Sequence, residues 1–270
     1  MSDPMTAVTL SFASNHGSHS VDLWLDQSSH SQRIMLAALQ AGEFYEPGVS
    51  SFLASVLRPG DTVVDVGADI GYFSLLAARM VGPTGRVFAF EPEPATYRRL
   101  RDHLVHNGLR EVQSFNVALG STPGDGHLVY AADDDGSETT REVARQQPRI
   151  GLRERGRRLP VEVVVLDHVL AGLPPGQGPR LIRIDVEGME YEVLKGALRT
   201  ILGHGVPYII CEVQRMGLLR MGASETQLRE FMRLIGYQAS LLKPDGTGLQ
   251  PLADGEFSDS NGAFSILFHL

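Results

Sequence analysis

The chain has 270 residues, of which 43% are hydrophobic and 21% are charged, and it carries a formal net charge of −8 at pH 7. Such a chain is long enough to bury a substantial core, and its composition is ordinary for a globular protein. The negative charge argues against nucleic acid or an anionic membrane as a partner, because phosphate binding requires a basic face.

The first 58 residues predict a hairpin followed by two helices. Residues 8–25 contain two strand-like segments around the turn residues "SNHGSH", which favours paired strands. Residues 30–41 and 48–58 predict helices on either side of "GEFYEPG". We therefore expect residues 1–58 to form an N-terminal extension.

From Asp61 onward, short apolar strands alternate with amphipathic helices. Strands are expected at "TVVDVG", "GRVFAFEP" and "VQSFNVALG", and again at residues 181–186 and 207–213. Helices are expected at residues 69–80, 94–108, 188–202 and 224–236. This alternation of strands and helices implies parallel strands with crossover helices. Two last strands, near residues 237–242 and 262–269, predict an antiparallel edge. The sequence thus predicts an α/β fold with a doubly wound, mostly parallel, seven-stranded sheet in residues 59–270.

Residues 121–180 interrupt this alternation and are expected to form an insertion after the third strand. They contain the strand-like segments "HLVYAA" and "VEVVVLDHVL", and seven arginines between positions 141 and 158. The spacing of Arg141, Arg145, Arg149 and Arg153 is that of a helical row. The arginines favour a solvated face, and the alternative is a site for a phosphate or carboxylate on a substrate.

A glycine turn, "VVDVGADIGYFS", joins the first strand of the sheet to the next helix. Gly67 and Gly71 allow a tight turn and close approach to a ligand, and the helix start offers free N–H groups. Dinucleotides bound at such turns usually need G-x-G-x-x-G. Here the spacing is G-x-x-x-G, with Asp65 before it and Ala68 and Asp69 inside it. Two carboxylates suit the ammonium and sulfonium of S-adenosylmethionine better than a pyrophosphate.

Two further strand ends would complete a cofactor site. Glu91 ends the second strand, where an acid can accept both ribose hydroxyls; the alternative is a solvated charge. Asn116 and Val117 end the third strand, where a side-chain amide or a backbone N–H could read the adenine ring. The alternative for these two is an ordinary turn.

Acids at the ends of the fourth and fifth strands form a second candidate site. Asp185 and Glu187 belong to "RIDVEG", and Glu212 belongs to "IICEV". Ligands bind outside the carboxyl ends of parallel strands, and neighbouring strands lie about 4.8 Å apart, so these carboxylates are expected to converge. They could hold a divalent cation, act as a general base, or bind an amine or sugar hydroxyls. A metal is not part of the prediction.

Two other charges in this stretch are expected to be structural. Arg183 lies within the buried fourth strand, where a cation needs a partner, and Asp185, Glu212 and Asp167 are the expected acids. Glu190 lies in the first turn of the next helix, where a negative charge suits the helix dipole.

The motifs "DVGADIG", "FEP", "NVALG", "VVVLDHVL", "IDVEGMEYEVLKGA" and "ICEV" occur in this order, and the set resembles the FkbM-type methyltransferases over roughly residues 43–215. The resemblance implies a class I, Rossmann-like fold and methyl transfer from S-adenosylmethionine to a hydroxyl of a sugar or small natural product. It implies that Asp65, Gly67 and Gly71 form the cofactor loop and that Glu91 holds the ribose. The family usually has asparagine where this chain has Asp69.

Methyl transfer to an alcohol benefits from a base, because an alcohol is a poor nucleophile. We expect Asp185 or Glu187 to deprotonate or orient the acceptor hydroxyl, with help from Glu212, and His168 is a weaker candidate. The N-terminal extension is expected to cover the cofactor, with Tyr45 and Glu46 as contacts. Two other classes stay open: a nicotinamide-dependent oxidoreductase, and a non-catalytic nucleotide-binding protein on the same fold.

Compartment and partners follow from composition. Cys211 is the single cysteine, so a reducing, cytoplasmic compartment is expected. The N-terminus lacks the features of a signal peptide, and no window is apolar enough for a membrane span. Lys195 and Lys243 are the two lysines among 24 basic residues, which favours a GC-rich, bacterial source. The expected partner is a small-molecule hydroxyl acceptor, and a homo-oligomer is left open.

Overall fold

The computed structural model describes residues 5–132, 138–145, 156–253 and 262–270. It begins with the expected hairpin and two helices, which are β1 (Met5–Ser14), β2 (Gly17–Asp26), α1 (His30–Gln40) and α2 (Pro47–Val56). The hairpin forms a two-stranded sheet of its own, with Ser14 paired with Gly17 across the turn. The elements predicted for the extension are confirmed, while its status as a separate unit stays a prediction.

A large sheet forms the centre of the molecule. Its strands, in chain order, are β3 (Thr62–Val66), β4 (Arg86–Phe90), β5 (Val112–Phe115), β10 (Pro179–Ile184), β11 (Tyr208–Val213), β12 (Gln238–Leu242), β13 (Leu249–Pro251) and β14 (Phe264–His269). Their spatial order is β13-β12-β14-β11-β10-β3-β4-β5. The five strands from β11 to β5 pair in parallel, and β14 runs antiparallel between β11 and β12. The mostly parallel sheet and its antiparallel edge agree with the prediction. The strand count differs, because the three-residue β13 adds an eighth strand to the described sheet.

Helices connect the strands as crossovers. They are α3 (Tyr72–Val81), α4 (Pro94–His106), α5 (Leu166–Val169), α6 (Glu190–Gly196), α7 (Leu198–His204), α8 (Arg215–Arg220) and α9 (Glu225–Leu234). The helix expected at residues 188–202 is therefore two helices that meet at Ala197, and α8 was not expected. Among the described residues, each helix is too short or too polar to span a bilayer.

The insertion forms a second sheet beside the first. Its strands are β6 (Ala118–Leu119), which lies just before the insertion, β7 (Gly124–Ala132), β8 (Glu138–Arg145) and β9 (Gly156–Val164), in the order β6-β9-β7-β8. The third strand expected over residues 112–120 is therefore two strands in different sheets, β5 and β6. Arg141 and Arg145 lie in β8, so the helical row predicted for the arginines is wrong at these two positions. Because β8 pairs with β7 along its length, strand pairing overrides the helical spacing. Arg149 and Arg153 lie outside the described residues.

Two hydrophobic clusters cover opposite faces of the large sheet, as expected for a doubly wound fold. One cluster includes Leu23 of the hairpin, Leu53 of α2, Leu76 of α3 and Val63 of the sheet. The other includes Val64, which points to the opposite face of β3, together with residues of α6 to α9. The strand order reverses between β3 and β10. This switch point is where open α/β sheets bind ligands.

Candidate functional site at the switch point

The glycine turn after β3 lies directly against the end of β10. Gly67 has a φ of +78°, and a Cβ there would lie 1.8 Å from the backbone oxygen of Asp185. The N–H groups of Gly67 and Ala68 both donate to the Phe90 carbonyl at 2.9 Å. Helix α3 therefore starts only at Tyr72, since Gly71 has a φ of +100°. Only glycine fits at position 67, because both the backbone angle and the space exclude a side chain.

Glu91 is fixed beside this turn by two backbone N–H groups. The Asp69 N–H donates to Glu91 Oε2 at 3.0 Å, and the Glu93 N–H donates to Oε1 at 2.8 Å. Glu91 is buried, and each carboxylate oxygen can accept more than one hydrogen bond. The carboxylate is thus held in a set orientation, as binding a ribose diol would require.

A small apolar cavity lies next to Glu91, between the ends of β3 and β4 and the segment after β5. Its lining residues are Val66, Gly67, Phe90, Pro92, Val117, Ala118, Leu119, Val186 and Met189. The apolar lining and the adjacent acid match the chemical character of an adenosine group. Asn116 follows β5 and is exposed, and its amide donates to the backbone oxygens of Glu91 and Pro92. Its amide N–H groups therefore hold the backbone at Glu91 and Pro92 in place, whereas Val117 lines the cavity.

Asp65 lies below the glycine turn and is almost fully buried, with 1% exposure. Ser74 donates to its Oδ2 at 2.6 Å, and Arg183 Nη1 lies 3.1 Å from its Oδ1. Both oxygens are thus bonded to groups of the chain itself. These bonds hold the turn to α3 and β10, and a direct contact between Asp65 and a cofactor stays a prediction.

The acids at the ends of β10 and β11 come together as expected. Ile184 pairs with Cys211 in parallel register, so Asp185 and Glu212 lie side by side at the ends of neighbouring strands. The Asp185 carboxylate and burial raise the pKa of Glu212 to about 9. Burial also raises the pKa of Asp185, and the Arg183 guanidinium opposes that rise. Glu187 contributes a further negative charge to Glu212 and has a left-handed backbone with a φ of +50°.

The N-terminal extension reaches the same cluster. Burial raises the pKa of Glu46, whose neighbouring charges include Arg183 and Asp185. The Tyr45 N–H donates to Tyr72 Oη at 3.1 Å, which ties the extension to the start of α3. The non-glycine residues with positive φ among those described are Glu46, Asp69 and Glu187. All three lie at this site, and strained backbone of this kind is typical of functional sites.

Glu190 is buried at the start of α6, as a structural charge should be. Its Oε1 accepts the Gly188 N–H at 2.9 Å, while Oε2 has no hydrogen-bond partner among the described residues. Burial raises its pKa to about 7.

Arg183 pairs with one expected acid and with one that sequence reasoning missed. Its Nη2 lies 2.6 Å from Asp185 Oδ2, as expected, but its second partner is Asp65. Asp167 instead accepts the N–H groups of Arg199 and Thr200 at the start of α7. The signal that could have identified Asp65 is its position in β3, one strand away from Arg183.

The remaining sequence candidates lie elsewhere or form no metal site. His168 is exposed on α5. Within the described ranges, no group of three or more His, Cys, Asp or Glu side chains has the geometry to hold a metal ion.

Comparison with known proteins decides the family. The profile of the methyltransferase FkbM domain matches residues 65–239, which is more than half of the chain. The chain belongs to the FkbM methyltransferase family. The match covers the glycine turn, the Glu91 region and the acids after β10 and β11. The sheet of this FkbM-family chain has the class I methyltransferase arrangement expected from the sequence.

Three relatives illustrate the range of the match. Methyltransferase sdnD from Sordaria araneosa is 33% identical over 156 residues, which cover 50% of this chain and 59% of the relative. Hexuronic acid methyltransferase AglP from Haloferax volcanii is 25% identical over 169 residues, or 62% of each chain. 31-O-demethyl-FK506 methyltransferase FkbM from Streptomyces tacrolimicus is 49% identical over 51 residues, or 19% of each chain. The chain thus spans less than two thirds of each relative. The fungal relatives do not support the bacterial source expected from the lysine content.

Proposed function

We propose that this chain is an S-adenosylmethionine-dependent O-methyltransferase that acts on a hydroxyl of a sugar or natural-product intermediate. The observation that carries the proposal is the contact between the glycine turn and the acid cluster. A Cβ on Gly67 would lie 1.8 Å from the Asp185 backbone oxygen, so the cofactor turn and the candidate base share one small space. Such proximity is what transfer between two bound molecules needs.

The cofactor would be held by the turn between β3 and α3. We assign the ribose to the Glu91 carboxylate and the adenine to the apolar cavity that Val117 lines. The cofactor-binding set also includes Asp65, Gly67, Ala68, Asp69, Gly71 and Asn116. When bound, S-adenosylmethionine supplies an activated methyl group, and the protein supplies binding and alignment.

We assign different roles at the acceptor to Asp185 and Glu212. Asp185 keeps the Arg183 guanidinium as its counter-ion at 2.6 Å, which favours the carboxylate form that can accept the hydroxyl proton. The Asp185 carboxylate and burial raise the pKa of Glu212, which favours the protonated form that can donate a hydrogen bond to the acceptor. Glu187 is the alternative base.

The names of two relatives support a sugar or natural-product acceptor, and this acid cluster supports a hydroxyl as the reacting group. One acts on a hexuronic acid and another on 31-O-demethyl-FK506. A sugar or macrolide hydroxyl is therefore the acceptor to test first. The proposal includes a cytoplasmic location and a small molecule, not nucleic acid, as the partner.

Ligand-dependent unfolding tests the cofactor first. S-adenosylhomocysteine at 100 times its Kd should stabilise the protein by about 2.7 kcal/mol, whereas NAD should leave Tm unchanged. Stabilisation by NAD alone would favour the oxidoreductase alternative, which the absence of G-x-G-x-x-G already disfavours.

Turnover tests the reaction. We expect transfer of labelled methyl from S-adenosylmethionine to a hexuronic acid or to 31-O-demethyl-FK506. Binding of S-adenosylhomocysteine without turnover across a panel of sugar and macrolide alcohols would point to the non-catalytic alternative.

A further inference from the structure

Arg183 is a buried cation that joins the two halves of the site. The parallel register places it opposite Asp65 in β3. One guanidinium nitrogen lies 3.1 Å from Asp65 Oδ1 and the other lies 2.6 Å from Asp185 Oδ2. The guanidinium carbon lies 4.0 Å from the centre of the Phe73 ring, which packs against its face. A planar guanidinium bound in this way sets the relative orientation of two carboxylates.

The hydrogen-bonded series from Ser74 through Asp65 and Arg183 to Asp185 has one buried end and one exposed end. At the buried end, Ser74 donates to Asp65 at 2.6 Å, and the Asp65 side chain is 2% exposed. Arg183 also donates to the carbonyl oxygen of Gly67 at 3.4 Å. At the exposed end, the Asp185 side chain is 26% exposed. Asp185 is thus the side chain of this hydrogen-bonded series that an acceptor can reach.

The surrounding charges explain why this position needs a cation. Burial by itself lowers the pKa of Arg183, but the carboxylates of Asp185 and Asp65 raise it above its ordinary value, as do Glu46 and Glu212. Removing the cation would leave several carboxylates close together with less compensation. Buried charges without partners are costly and move or neutralise.

We propose that Arg183 is a positioning residue that fixes the Asp185 carboxylate relative to the glycine turn, through its bonds to Asp65 and Gly67. The proposal rests on the function proposed above, because it gives Asp185 a reacting partner. A purely structural arginine would affect folding and cofactor affinity. A positioning arginine affects kcat, and does so through Asp185.

The test is a double-mutant cycle on the full chain with the acceptor probe that gives turnover. Arg183→Met should lower kcat about 10²-fold, because a misplaced catalytic group costs that much. The Kd for S-adenosylhomocysteine should change much less than kcat, because the glycine turn keeps its backbone hydrogen bonds to Phe90. In an Asp185→Asn background, Arg183→Met should lower kcat by no more than about a further 2-fold, because its effect passes through Asp185.

Two further variants keep the result interpretable. Arg183→Lys keeps the charge but loses the planar fork, so kcat should fall by only about 10-fold, with cofactor affinity retained. Arg183→Lys is the variant to measure if Arg183→Met does not fold. Arg180→Met is the matched control, because Arg180 lies on the same strand, pairs loosely with Asp61 at 3.9 Å and contacts the Tyr208 ring. Its kcat should be that of the wild type.

The outcomes separate the two proposals. Independent effects of Arg183→Met and Asp185→Asn on kcat would overturn the positioning role. So would a large loss of S-adenosylhomocysteine affinity with near-normal kcat at saturation, which would assign Arg183 to the cofactor turn. A wild type that neither binds S-adenosylhomocysteine nor turns over any probe would overturn the proposed function, and the role of Arg183 with it.

Discussion

The acids of the "RIDVEG" segment and the helix start after it have different environments although they lie within six residues of one another. Asp185 is paired with Arg183 and partly exposed, whereas Glu190 is buried, and within the described part of the chain one of its oxygens has no hydrogen-bond partner. Exposure next to the glycine turn suits a reacting group, and burial at a helix start suits a structural one. The two carboxylates therefore lead to different predictions, one for activity and one for stability.

Asp185→Asn should remove the proposed base without removing volume. We expect kcat to fall about 10²- to 10⁴-fold, which is the range for loss of a general base, while affinity for S-adenosylhomocysteine stays the same. Steady-state methyl transfer and calorimetric titration measure the two quantities. Asp102→Asn on the exposed surface of α4 is the control. Near-normal turnover of both Asp185→Asn and Glu187→Gln would show that the base lies elsewhere.

Glu190 should make stability depend on pH. Its pKa is raised by burial from 4.5 to about 7, so the folded protein binds this proton more tightly than the unfolded chain does. The resulting stabilisation is complete below pH 4.5 and is lost as the pH rises through about 7. Between pH 5 and 8 the free energy of unfolding should fall by about 3 kcal/mol relative to that of Glu190→Gln. Urea unfolding of both proteins across this range would measure the difference, and parallel curves would contradict the expectation.

At the scale of elements, close backbone approaches decide where helices begin and end. A Cβ on Gly196 would lie 2.1 Å from the Gly120 oxygen, and Asp167 caps the helix that follows. The long helix expected from the sequence therefore splits at Ala197. Neither contact is local in the chain, so helical periodicity alone could not reveal the break.

Replacing Gly67 in the turn between β3 and α3 tests whether the close approach of two backbone segments is needed for stability and for binding. Gly67→Ala should cost about 3 kcal/mol, from the left-handed backbone and from the clash with the Asp185 oxygen. It should also abolish stabilisation by S-adenosylhomocysteine. Gly205→Ala is the matched control, since Gly205 is left-handed and a Cβ there would have nothing within 4 Å, and about 1 kcal/mol is expected for it. A normal ligand-induced shift in Gly67→Ala would rule out this turn as the cofactor site.

At the scale of the whole molecule, the N-terminal extension shares a core with the large sheet. Leu23 and Leu53 are fully buried in the same cluster as Leu76 of α3. Trp24, the single tryptophan, lies on β2, and its backbone N–H donates to His103 Nε2 on α4 at 3.0 Å. Its indole ring stacks on the His103 ring with 5.7 Å between centroids. The extension and the sheet should therefore unfold together.

Tryptophan fluorescence and circular dichroism can test this cooperativity. Trp24 reports on the hairpin, whereas far-ultraviolet dichroism reports mainly on the sheet and helices. We expect coincident denaturation curves, as for a two-state unit. Leu23→Ala should lower the free energy of unfolding by about 3 kcal/mol and shift both curves together. Earlier loss of the fluorescence signal would mean that the extension unfolds on its own.

The sequence by itself determined the alternation of strands and helices, the glycine turn and the acids that end the strands. These features are local, because apolar periodicity and turn residues act over a few neighbouring positions. Only the tertiary structure decided that Arg183 binds Asp65, 118 positions away, that Glu46 of the extension joins the acid cluster, and that Arg141 lies in a strand. Those outcomes depend on which strands become neighbours and which surfaces pack, and no local pattern encodes that.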